Sequence, residues 1–338
     1  MSAVPATGSD VAPSDERLAE VLRDVLARAG AGEPASVRRS RSIYRSSFPL
    51  EELDVTLSDG RELRLALKRL ELGGLNRDGR LAKPDFLFDA GREAAVYSSI
   101  LPAAPAGPPA YFGSLPAEAD GGCWLFIEWV DGRELYQVGE LAVWVQVARW
   151  LGDLHASLAG DLERHALEGR LIDYDAAHYR RWLTRAREHA RLAGRSGDGA
   201  RFLDWLALRH DGPVETLLAL DRTVLHGDFF ASNVLVAGDE QAVRVAPVDW
   251  ELAAAGPGLM DLAALISGDW TEAQRGEMSE AYASRAGVAP FSAAQLDCAR
   301  LQLAVKWLGW ATPEWVAPAG QRHDWLGDAV ALAERLEL

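Results

Sequence analysis

Apolar residues recur every three or four positions from Glu16 to Ala29 (Leu18, Val21, Leu22, Val25, Leu26), and Gly30 follows as a stop, which predicts an amphipathic helix. The period then shortens to two. Leu53, Val55 and Leu57 alternate with polar residues, Asp59-Gly60 supplies a tight turn, and Leu63, Leu65 and Leu67 resume the alternation, as a β-hairpin requires. A helix is expected from Phe86 to Ile100, then a Pro-rich passage and an apolar strand from Cys123 to Val130 that Asp131-Gly132 ends. Leu141, Trp144, Val147, Leu151, Leu154 and Leu158 step at helical spacing and mark one buried stripe. Helical stretches over about 174–193 and 200–209 lead to short apolar strands beginning near Thr223, Asn233 and Val243. The chain from Asp261 to Leu338 reads as helical, broken at Pro290 and Pro313. Strands therefore dominate the first third and helices the rest, an α+β pattern with a small sheet-based lobe and a larger helical one. Residues 1–15, rich in Ala, Pro, Ser and Asp, read as a loose tail.

The 338 residues, 49% of them hydrophobic and 25% charged, suffice for a large core and exclude disordered, collagenous and disulfide-scaffold classes. A formal charge of −15 opposes binding to nucleic acid or an anionic membrane surface and suits a cationic substrate better. The longest uncharged run, around residues 94–117, is broken by Pro102, Pro105, Pro108, Pro109 and Pro116, so no membrane span is expected. Without a basic start and apolar run at the N-terminus, a cytoplasmic location is expected. Cys123 and Cys298 lie far apart, outside any metal spacing, and read as buried free thiols.

Chemistry concentrates in His226-Gly227-Asp228-Phe-Phe-Ala-Ser-Asn233 and, after an apolar strand, Val248-Asp249-Trp250-Glu251. Phosphoryl transfer needs a carboxylate near the acceptor hydroxyl and oxygen ligands for Mg²⁺. Asp228 suits the first task; Asn233 and Asp249 offer a carboxylate and an amide for the metal. A hairpin can return Asp249 beside Asn233. Taken singly, Asp228 is as well explained as a loop cap, and His226 as a core histidine bracing the loop. On the strand Leu63-Arg-Leu-Ala-Leu-Lys68, the period of two puts Ala66 and Lys68 on the face opposite the leucines, where a lysine could serve a triphosphate.

The H-G-D-x-x-x-x-N run at 226–233 with Asp249-Trp250 resembles the aminoglycoside phosphotransferase family of kinase-like enzymes. That resemblance implies a bilobal protein-kinase-like fold: a nucleotide-binding lobe over 16–130 that ends in a hinge strand, and a catalytic and substrate-binding lobe over 131–338. It implies that Asp228 is the catalytic base, that Asn233 and Asp249 hold Mg²⁺, and that the lobes clamp ATP. Ala66 and Lys68 match the kinase V-A-I-K strand, with room for adenine at Ala66, and Glu93 in Arg92-Glu-Ala-Ala-Val-Tyr97 is the lysine's expected partner. Backbone groups around Glu128 to Val130 would bind the purine edge. Where protein kinases carry G-x-G-x-x-G, this chain reads Arg41 to Phe48 without glycine; Ser46 and Ser47 are the candidates for phosphate contact, with ordinary hairpin residues the alternative. Leu151-Gly-Asp-Leu-His155 and Gly256-Pro-Gly-Leu-Met-Asp261 resemble family segments that support the catalytic loop.

The acceptor is less legible. Trp270, Trp307, Trp310, Trp315 and Trp325 could stack on a ring or form core, and Glu251, Asp269, Glu272, Glu277 and Asp324 could meet an amino sugar or a solvated face. The main expectation is an ATP- and Mg²⁺-dependent enzyme phosphorylating a hydroxyl of an antibiotic, sugar or amino alcohol. Arg180, Arg181, Arg185, Arg187, Arg191 and Arg195 keep open a kinase-like enzyme acting on an acidic peptide in natural-product modification. A non-catalytic nucleotide-binding partner is the third reading.

Overall fold

The apolar stripe at residues 18–26 is buried along helix α1 (Asp15–Arg28), which Ser14 caps by accepting the amide of Arg17 at 3.2 Å. This computed structural model describes residues 13–42, 48–71, 83–116, 122–160, 162, 171–192, 197–238, 242–287, 290–310 and 323–338. The chain divides into two units, Met1–Pro102 with Pro108–Asp131, and Ala103–Gly107 with Gly132–Leu338.

In the first unit an antiparallel sheet runs in the order β1 (Pro34–Arg41), β2 (Leu50–Leu57), β3 (Glu62–Leu70), β5 (Cys123–Glu128), β4 (Tyr111–Pro116). Leu53, Val55, Leu57, Leu65, Leu67 and Phe126 pack with the leucines and valines of α1 into one core. The hairpin expected around Asp59-Gly60 is the β2–β3 pair, with Leu53 opposite Leu65. Strand β1 has no counterpart in the hydrophobic pattern. It is an edge strand without a fully buried residue, held to β2 by its ladder and by ion pairs such as Arg39 Nε to Glu51 Oε2 at 2.8 Å. The helix expected over 86–100 is instead segmented: a single turn at Asp85–Leu87, then α2 (Arg92–Ala95), continued by a wider π turn at Val96–Ile100. Asp89 causes the break, because its side chain takes the amide of Gly91 at 2.9 Å and competes with helical bonding.

The second unit is mainly helical. Its elements are β6 (Arg133–Glu134), α3 (Leu141–Ala159), β7 (Ile172–Asp173), α4 (Ala176–Leu192), α5 (Asp198–Ala207), α6 (Asp211–Leu218), β8 (Arg222–Leu225), β9 (Val234–Ala237), β10 (Arg244–Pro247), β11 (Ala254–Pro257), α7 (Leu259–Leu265), α8 (Glu272–Ala283), α9 (Ala293–Trp310) and α10 (Trp325–Arg335). Two small sheets, β10-β9-β6 and β7-β11-β8, carry the loops that matter below. Neither α6 nor β11 stands out in the sequence. Helix α6 opens on Asp-Gly-Pro, which only a first turn tolerates, and β11 is an Ala-Ala-Gly-Pro run buried throughout, so it shows no alternation. Both cysteines are free and buried, and burial pushes the Cys298 thiol up. Among the described residues no helix is long and apolar enough to cross a membrane.

Candidate active site

Strand β3 turns its two faces to different tasks. Leu65 and Leu67 enter the core with α1, which leaves Ala66 and Lys68 on the opposite face. Lys68 is 3% exposed, and its Nζ lies 2.7 Å from Oε2 of Glu93, itself 1% exposed, on α2. A charge this deep persists only when paired, so the pair fixes the lysine's tip. Arg92 secures α2 by donating to the Leu87 carbonyl at 2.8 Å. At the end of β5 the amides of Glu128 and Trp129 already donate to the carbonyls of Ala110 and Arg64, at 2.8 and 3.0 Å. Of the three residues expected to meet a purine edge, Val130 is the one whose amide no backbone carbonyl takes among the described residues. Ser46 and Ser47 lie outside the described residues.

In the second unit β8 runs into the His226-Gly227-Asp228 loop, whose path depends on glycine. Gly227 sits at φ +78°, and a Cβ there would lie 2.0 Å from the Leu252 carbonyl oxygen. Asp261, at the start of α7, accepts the amides of His226 at 2.6 Å and Gly227 at 2.9 Å. His226 donates from Nε2 to the Val248 carbonyl at 2.8 Å, and burial lowers its pKa, so the imidazole is a neutral brace. Asn233 reaches back and donates from Nδ2 both to the Asp228 carbonyl and to Asp228 Oδ2, each at 2.9 Å. The Val248 amide donates to the Asn233 carbonyl at 2.9 Å, one step beyond the Val234–Pro247 pair of the β9–β10 ladder. Asn233 and Asp249 therefore stand at the same end of that hairpin. Asp249 adopts the left-handed conformation (φ 64°, ψ 53°), rare for a side-chain-bearing residue and tolerated best by Asp and Asn.

Two supports went unforeseen. Lys306 of α9 donates to the Gly227 carbonyl at 2.7 Å and lies 3.5 Å from Asp228 Oδ1. Its sequence signal is isolation, a single charge within Leu301–Trp310. Tyr282 of α8 stands 2.9 Å from Nδ1 of buried His155, whose Nε2 is 3.3 Å from Asp261 Oδ2, so the anchor of the loop is itself anchored. Burial raises the Tyr282 hydroxyl well above its ordinary value.

The arginine-rich helix α4 spends its charges internally. Arg180 pairs with Asp211, Arg187 and Arg191 with Asp204, and Arg185 donates to the Gly309 carbonyl. The feature that kept an acidic peptide in view is thus largely committed to ion pairs within the chain's own surface, and nothing in it favours a peptide; Arg195 lies outside the described residues. The tryptophans largely pack on one another: Trp270 on Trp144, Trp310 on Trp182, Trp307 on Trp325. Trp315 is outside the described residues, Glu272 pairs with Arg275 and Arg335, and Asp324 caps α10.

Among solved structures the chain is similar to wild-type aminoglycoside 2'-phosphotransferase-IIIa in its GDP complex, at 14% identity over 96% of this chain and 99% of that one, with a TM-score of 0.56. It is similar to choline kinase from Cryptosporidium parvum, at 14% identity, coverages of 96% and 94% and a TM-score of 0.58. A macrolide 2'-phosphotransferase from Brachybacterium faecium shares 20% identity, with coverages of 94% and 98% and a TM-score of 0.51. Identities this low establish the kinase-like fold. No curated protein sequence matches the chain. Residues 77–301, well over half of the chain, match the phosphotransferase enzyme family. That continuous match takes in the whole Asp228 loop with Asn233, Asp249 and Asp261, and the chain belongs to the phosphotransferase enzyme family.

Proposed function

We propose that this protein is a cytoplasmic kinase that uses ATP and Mg²⁺ to phosphorylate a hydroxyl group of a small molecule. The observation that carries the reading is Asp228, a carboxylate 23% exposed on a loop that Asp261, His226, Asn233 and Lys306 hold in place. One of its oxygens would take the acceptor's proton as the new O–P bond forms and the bond from the γ-phosphorus to its bridging oxygen breaks, leaving ADP. Because Asn233 spends its amide N–H groups on Asp228, its carbonyl oxygen remains, and with the Asp249 carboxylate it makes the hard oxygen set that suits Mg²⁺. When bound, the metal supplies charge neutralisation on the phosphate oxygens. Lys68, fixed by Glu93, serves the nucleotide's phosphates; Ala66 gives space to the base and the Val130 amide its edge contact.

Aminoglycoside, macrolide and choline, the acceptors named for similar structures, all carry a hydroxyl, and aminoglycosides and choline are cationic. The charge of −15 suits that kind of acceptor. The test is ADP release from Mg²⁺-ATP with kanamycin, a macrolide, choline, simple sugars and water as acceptors, followed by phosphorus NMR of the product. A phosphate monoester from one acceptor is the expected result. Wild-type protein that releases no ADP with any of them contradicts the reading.

A further inference from the structure

We propose that Lys306 is a positioning residue for the transfer step, fixing the Asp228 carboxylate from a helix remote in sequence. The inference rests on the reading of Asp228 as proton acceptor. Around Lys306 the helix is mostly apolar: Leu301, Leu303, Ala304 and Val305 are buried, the one polar neighbour among them is Gln302, bonded to His210, and Lys306 itself is only 5% exposed. Methionine or leucine would fill such a place without the cost of desolvating an ammonium group, so packing does not account for the lysine.

Its tip does. Nζ donates to the Gly227 carbonyl at 2.7 Å, 79 residues away in sequence, and stands 3.5 Å from Asp228 Oδ1 and 5.8 Å from the centre of the Trp310 ring. Asn233 meanwhile holds the other carboxylate oxygen, Oδ2, at 2.9 Å. With one oxygen tethered by its own loop and the other facing a fixed cation, the carboxylate plane is set; either contact alone would let it swing. The imidazoles facing this pair, His226 of the loop and His178 of α4, are kept neutral by burial, so neither supplies the positive charge that Lys306 brings.

The test compares K306M, K306Q and K306R with the wild type in melting temperature, Mg²⁺-ATP affinity by calorimetry, and ADP release with the best acceptor and with water. Positioning predicts that K306M keeps its ATP affinity within about twofold while kcat falls by about 10²-fold, the usual consequence of a misplaced catalytic group. K306R, which retains the cation, should recover to within about tenfold of the wild type despite its different geometry. If K306M does not fold, K306Q takes its place, since it can still donate to Gly227 but carries no charge. Wild-type kcat per folded molecule in K306M or K306Q overturns the inference while leaving the kinase reading intact. An inactive wild type removes both.

Discussion

Lys68 and Lys306, one buried in each unit, are held in opposite ways. Lys68 meets a carboxylate that is as deep as itself, and each charge compensates the other away from water. Lys306 meets a backbone carbonyl and a carboxylate that keeps part of its surface exposed. The first arrangement is a closed pair whose members stand or fall together. The second is an asymmetric tether, in which one member is rigid and the other remains available for chemistry. A fold can thus use one side chain type to store rigidity in one unit and to aim a reactive group in the other.

The comparison breaks first at Lys68. Lys68→Met strands the Glu93 carboxylate and should cost about 3–5 kcal/mol, read by denaturant unfolding, with a parallel loss of Mg²⁺-ATP affinity. The double replacement Lys68→Met, Glu93→Met should recover most of the stability and none of the affinity. If the single and double variants are equally stable, the pair is not the closed unit described.

A smaller effect separates the surroundings of Lys306. Burial, with the Lys306 charge second, pushes His178 down to about 3 from its ordinary 6.5. Between those values the unfolded chain binds a proton that the folded chain refuses, so stability rises with pH and is lost as pH falls below about 6.5. The loss is at most about 1.4 kcal/mol per pH unit from this group. Melting curves of the wild type and His178→Phe over that window should diverge, the variant being the flatter. Smallest of all, Tyr282→Phe removes one buried hydrogen bond to His155 and should cost about 1 kcal/mol with kcat nearly unchanged, because Asp261 still holds the loop amides.

The same contrast explains what the sequence could reveal. Lys68 and Ala66 are legible because a strand's period of two assigns them a face, whereas Glu93 is reached only through the resemblance of Arg92–Tyr97 to the kinase helix that pairs with that lysine. Asp228, Asn233 and Asp249 form a local pattern that one hairpin closes, and backbone bonds at the hairpin's end are enough to gather Asn233 and Asp249. Lys306 and Tyr282 act on the loop from helices that come much later in the chain. No periodicity links them to it; the only trace is a lone cation in an apolar run, which must find a partner if it is buried. Strand β1 escaped notice for the reverse reason, since an edge strand rich in arginine buries too little to leave a hydrophobic signature.

The central claim is that the Asp228 carboxylate accepts the acceptor's proton. It is tested most directly by kcat of Asp228→Asn against the wild type at saturating Mg²⁺-ATP and acceptor, with ATP affinity measured alongside. Asparagine keeps the shape and removes the base, so kcat should fall by about 10²- to 10⁴-fold while ATP affinity stays within a few-fold. Full turnover in Asp228→Asn would contradict the account.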